Sequence, residues 1–78
     1  MPAEQQAMIR GMVAQLASRL EQDGNDAEGW LRLIRSYSVM RETELARDAL
    51  TKARAALVNN ADGLKRIDAL AAELGLKG

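Results

Sequence analysis

The chain contains no cysteine and no histidine. Thiolate zinc sites, thiol redox chemistry, cysteine nucleophiles, imidazole bases and imidazole haem ligation are excluded together. Phenylalanine is also missing, and the aromatics reduce to Trp30 and Tyr37. The single proline stands at position 2, so nothing in the interior forbids continuous helix. Eleven basic residues balance eleven acidic ones. This leaves no electrostatic excess of the kind that holds a nucleic-acid backbone, so no nucleic-acid partner is expected. The apolar runs fall well short of the roughly 20 residues that span a bilayer. The start, MPAEQQAMIR, lacks the basic region and apolar stretch of a signal peptide. Lack of cysteine does not fix the compartment.

What remains is a chain of 78 residues, 47% hydrophobic and 28% charged, with Leu and Ala dominating the apolar set. That is the composition of one small helical domain. No segment alternates in period two for long enough to argue a strand, so the expected class is all-α.

Four helices can be read from the periodicity. Ile9, Met12, Val13, Leu16 and Leu20 recur on one face of a helix over 3–22, with Pro2 at its start and Gly24 past its end. Gly11 inside it costs about 1 kcal/mol relative to Ala, which predicts a close neighbour there. Asn25 or Asp26 can cap a second helix, with Glu28 placed to reach back to free amides. Its buried stripe is Trp30, Leu33, Ile34, Tyr37 and Met40. Thr43 is the expected cap of a third helix, whose inward set is Ala46, Ala49, Leu50, Ala53 and Leu57 and whose end falls near Asn59 and Asn60. Asp62 is the expected cap of a fourth, over 62–74, with Leu64, Ile67, Leu70, Ala71 and Leu74 apolar and Gly75 as its stop.

The spacing WxxLxxxY, followed by Ala46, Leu50 and Ala53, resembles a tetratricopeptide repeat, and residues 27–60 have the 34-residue period of that family. The large residues fill the space between a hairpin and its neighbour, while the alanines let two backbones approach. Ile34 stands where the family usually has a small residue and Val58 where it often has proline. The first demands wider spacing or small partners such as Ala46 and Ala49. One repeat cannot cover its own faces, so helices one and four read as flanking half-repeats, with Leu64 and Ile67 matching Trp30 and Leu33.

The run MIRGMVAQLASRLEQDGNDAEGWLRLIRSYSVM, followed by an Ala-rich helix and LKRIDALAAELGL, is similar to the repeat domain of the CcmI/CycH family of cytochrome c biogenesis proteins. The resemblance implies a periplasmic domain of an inner-membrane protein whose membrane helices lie in a missing N-terminal region. It implies a chaperone that holds apocytochrome c, or its C-terminal helix, for the haem ligation complex, whose subunits would be further partners. Such a holder needs no cofactor, metal or catalytic residue of its own. Ser18, Ser36 and Ser38 have no base to activate them, and the carboxylates are scattered over helix surfaces, so no enzyme is expected. Met8, Met12 and Met40 read as packing residues rather than haem ligands.

In a repeat array the first helices of successive hairpins line one face. The candidate peptide-binding residues are therefore those of helices two and four that point away from the apolar stripes: Leu31, Arg35 and Ser38, with Arg32 at the rim, and Lys65 and Ala69, with Arg66 beside them. Leu31 and Ala69 would form an apolar floor, and Arg35 and Lys65 would supply donors to a carboxylate. Two other readings are an adaptor clamping the C-terminal carboxylate of some other partner with Arg35 and Lys65, and an assembly element binding its own copies or other maturation subunits through the open faces of helices one and four. In the latter, Met8, Ile9 and Met12 would favour weak self-association.

Overall fold

In a computed structural model, residues 2–76 are described, and they form four helices: α1 (Ala3–Gln22), α2 (Ala27–Val39), α3 (Thr43–Ala56) and α4 (Ala61–Leu74). The linkers are short enough to fold each helix back against the one before it. Among the described residues α2 is the hub: it packs against α1, α3 and α4, whereas α1 packs its backbone only against α2. The class is all-α, an arrangement consistent with a tetratricopeptide-like module.

The stripes converge on one core. Leu20 from α1, Leu33 and Ile34 from α2, Leu50 from α3, Leu57 after it and Ile67 from α4 are fully enclosed. Each is at the three-or-four spacing that keeps one face of its helix inward. α3 meets this core with Ala46, Ala49 and Ala53, all buried. Ile34, the bulky departure from the repeat pattern, is fully enclosed in the same cluster as Ala49 and Ala53. Tyr37 and Met40 are half-buried at the edge of the same cluster.

The helix starts correct two expectations. α2 is capped by Asp26, whose carboxylate accepts from the Gly29 amide at 3.0 Å. α4 is capped in the same way by Asn60, whose side-chain oxygen accepts from the Gly63 amide at 2.9 Å, so Asp62 is not the cap. Asn60 wins because α3 stops early: it ends at Ala56, not near Asn59, and the Asn60 amide closes a turn onto the Leu57 carbonyl. Asp62 then lies inside the first turn, where its charge favours the helix dipole. Likewise Thr43 is the first residue of α3 rather than its cap. Glu42 holds the cap position without a side-chain hydrogen bond to the helix, its carboxylate being engaged by Arg10 at 2.8 Å.

Two helix ends share one motif. After α4 the Gly75 amide donates to Ala72 and the Leu76 amide to Ala71, with Gly75 at φ 72°. After α2 the Arg41 amide donates to Ser38 and the Glu42 amide to Tyr37, with Arg41 at φ 61°. These paired bonds satisfy the last free carbonyls of a helix and require a left-handed residue, which glycine adopts without strain and arginine does not. The expected close neighbour of Gly11 is absent among the described residues: a Cβ built there meets nothing within 4 Å. Close approach is instead found at Gly24, where a Cβ would lie 2.8 Å from that of Ala56 and 3.2 Å from the Leu20 carbonyl oxygen.

Candidate functional site

The candidate binding residues divide between the two flanks of α2. On the flank facing α4, Leu31 is half-buried against the core, and two ion pairs join α2 to α4. Arg35 Nη1 lies 3.2 Å from Glu73 Oε2, and Arg66 Nη2 is paired with Glu28 Oε1. These side chains are largely exposed, so each pair contributes at most about 1 kcal/mol and exchanges readily with an incoming carboxylate. Lys65 and Ala69 lie exposed along α4, and Lys65 has no ion pair among the described residues; Ser38 is half-buried near the end of α2. Glu28, expected to reach back to its own helix start, is turned instead to Arg66.

The other flank of α2 holds a feature the periodicity did not point to. Between α1 and α2 runs a trough made of two adjoining clefts of about 450 and 480 Å³, which share Ile9, Arg32 and Ser36. Its floor is apolar, from Ile9, Val13 and Leu16 of α1 to Val39 and Met40 at the end of α2. Arg32 and Arg35, placed with the α4 side in the sequence, both line this trough. Leu31, Ser38, Lys65, Arg66 and Ala69 do not. The apolar stripe of α1 marks its packing face and says nothing of the clefts beside it. The two arginines of α1, Arg10 and Arg19, were the available signal.

Elsewhere the charges tie the helices together. Arg54 Nη2 lies 2.9 Å from Asp68 between α3 and α4, and Lys52 Nζ lies 3.2 Å from Glu21 between α3 and the end of α1. The hydrogen bond and charge of Glu21, with a further contribution from Asp48, raise the pKa of Lys52 above its ordinary value. Trp30 fills the space above this corner, and its indole N–H donates to the Gly24 carbonyl at 2.8 Å. The lone tryptophan is thus a buried structural residue, satisfied in its one polar atom.

Comparison with known proteins adds a direct relation. The chain is 48% identical over 73 residues to the cytochrome c-type biogenesis protein CycH of Rhizobium meliloti, covering 94% of this chain and 19% of that protein. It is 44% identical over 72 residues to the protein of the same name from Bradyrhizobium diazoefficiens, covering 92% of this chain and 20% of that protein. The chain therefore spans about a fifth of the length of the relatives it matches. No protein-family model and no solved structure matches it.

Proposed function

We propose that the chain is a polypeptide-holding module of cytochrome c maturation, of the tetratricopeptide type. In this reading it keeps apocytochrome c, or its C-terminal helix, available for the haem ligation complex. The observation that carries the reading is the 48% identity to a cytochrome c biogenesis protein across 94% of the chain. Its natural setting is then the periplasm, as one domain of an inner-membrane protein. No helix among the described residues is long and apolar enough to cross a membrane, so in this reading the anchor belongs to another part of that protein.

The holding face is the α2–α4 flank. Arg35 offers two parallel hydrogen bonds to a carboxylate and Lys65 a flexible point charge. Leu31 and Ala69 supply apolar contact between them, with Ser38 and Arg66 around the rim. Because the Arg35–Glu73 and Arg66–Glu28 pairs are exposed, a bound peptide can replace Glu73 or Glu28 at little cost. No covalent step is involved, and selectivity comes from preferring the unfolded, haem-free chain.

The test is titration of the folded domain with apocytochrome c, with its isolated C-terminal helix and with the haem-loaded protein. The first two should bind and the third bind much more weakly, and Arg35→Glu should reduce binding without unfolding the domain. Absence of binding by a demonstrably folded domain would remove this function. A C-terminal clamp predicts loss of affinity on amidating the peptide's C-terminus, and a purely structural element predicts no effect of Arg35→Glu.

A further inference from the structure

The trough between α1 and α2 is lined by five arginines, Arg10, Arg19, Arg32, Arg35 and Arg41, and by no acidic residue. In a chain of equal basic and acidic content this is a local excess of one sign. Two of the five have ion pairs, Arg10 with Glu42 and Arg35 with Glu73. Arg19, Arg32 and Arg41 have none among the described residues, and of the other described basic residues only Lys65 shares that state. Cations therefore collect without counter-charge along one apolar groove. Arg41 is held there at φ 61°, in a turn where glycine would be unstrained.

Two occupants compete for such a groove. One is a further helix of the same repeat type, including α4 of a second copy. The repeat itself argues against it. Thirty-four residues separate Gly29 from Gly63, and the same step carries Met12 onto Ala46 and Arg19 onto Ala53. Ala46 and Ala53 are fully buried where α3 meets the rest of the hairpin, and it is their size that admits a close helix. On α1 those places hold a methionine that is 64% exposed and an exposed arginine, which keep a helix backbone at a distance. A side-chain-mediated contact with a partner peptide is compatible with both.

We infer that the α1–α2 trough is a docking site for an acidic amphipathic peptide segment of a partner protein. Apolar side chains of the segment would lie on Ile9, Val39 and Met40, and its carboxylates would meet Arg19, Arg32 and Arg41. Charge complementarity of this kind sets specificity and on-rate and weakens with salt. The site borders the α2–α4 holding face, with Arg35 between the two, and does not depend on the identity of the client held there.

The experiment uses the whole chain and a fluorescent synthetic amphipathic helix with leucines on one face and glutamates flanking them, read by anisotropy. Versions with glutamine or lysine in place of glutamate serve as comparison. The glutamate peptide should bind at low salt and weaken with salt, the glutamine peptide should bind at least several-fold more weakly, and the lysine peptide should not bind. Arg19→Gln and Arg41→Gly should each reduce affinity about two- to fivefold. Arg41→Gly does so while easing the backbone, so the loss is not one of folding. Arg47→Glu, on the outer face of α3 beside Glu44, should leave affinity within twofold. Equal binding of the glutamate and glutamine peptides, an effect of Arg47→Glu as large as that of Arg41→Gly, or no binding at all overturns the site. So does sedimentation showing that the chain dimerises through this trough and that Arg41→Gly dissociates the dimer.

Discussion

The indole of Trp30 closes over the α1–α2 turn and donates to the carbonyl of Gly24 at 2.8 Å, while Gly24 itself lies so near Ala56 that no side chain fits between them. Trp30 is 2% exposed. Replacing it by Phe keeps most of the ring but leaves a carbonyl without its donor, for an expected loss of about 1–3 kcal/mol. Gly24→Ala forces a methyl against Ala56 and the Leu20 carbonyl and should cost about 1–3 kcal/mol by overpacking. Urea unfolding followed by circular dichroism measures both; if Gly24→Ala is neutral, the close approach is not rigid.

The matched caps make a paired prediction. Asp26→Ala and Asn60→Ala each remove an acceptor for the third amide of a helix and should each cost about 1 kcal/mol. Asp62→Ala and Thr43→Ala remove no cap and should cost clearly less. A larger loss at Asp62 than at Asn60 would reverse the assignment.

Arg41 predicts a stabilising substitution. A left-handed conformation costs a non-glycine residue about 1–2 kcal/mol, and glycine gives back part of that gain, about 0.5–1 kcal/mol, through the freedom it adds to the unfolded chain. Arg41→Gly should therefore raise stability by roughly 0.5–1 kcal/mol, from the balance of the same two effects. A decrease in the unfolding midpoint would mean that the Arg41 side chain contributes more than its strained backbone costs.

Lys52 predicts a pH and salt signature. Its pKa in the folded state is raised above its ordinary value by Glu21 and then by Asp48. The contribution is fully present below the unfolded value of about 10.4 and is lost as pH rises through the folded value. Lys52→Met should cost less than about 1 kcal/mol at neutral pH, because the pair is exposed. The difference from the parent chain should shrink at high salt and vanish in strongly alkaline solution. A difference unchanged by salt and alkali would point to the packing of the Lys52 stem instead.

Met12 should be nearly silent in stability. It has the spacing of an inward residue, yet it is 64% exposed, and Met12→Gln should change stability by no more than about 0.5 kcal/mol. Val13→Ala, one position on and buried, should cost more. Equal effects in thermal unfolding would mean that α1 turns its Met12 face inward in solution.

Much of this fold is legible in the sequence because helical periodicity is a local property. Leu33, Ile34, Leu50, Ala53 and Ile67 share their faces by spacing alone, and those faces are the buried ones. Caps were less legible because Asn60 and Asp62 have equally suitable side chains, and the choice depends on where the preceding helix stops. Met12 and Gly11 were misread for a related reason: a stripe says which residues share a face, not whether another element arrives to cover it.

The binding surfaces lie furthest from what a single sequence decides. Helical spacing put Arg32 and Arg35 outside the core, but an exposed arc on α2 borders both α1 and α4. Ion pairs between residues 38 apart, Arg35 with Glu73 and Arg66 with Glu28, bridge one border. The other border holds the trough, where Met12 and Arg19 stand at the places that Ala46 and Ala53 hold on α3. The sequence by itself determined four helices, their apolar faces and the absence of cysteine and imidazole chemistry, since these follow from residue type and local spacing. Only the tertiary structure decided which helix start is capped by which residue, which arginines are paired, and that the unpaired ones gather along α1 and α2, because each depends on distances between segments far apart in the chain.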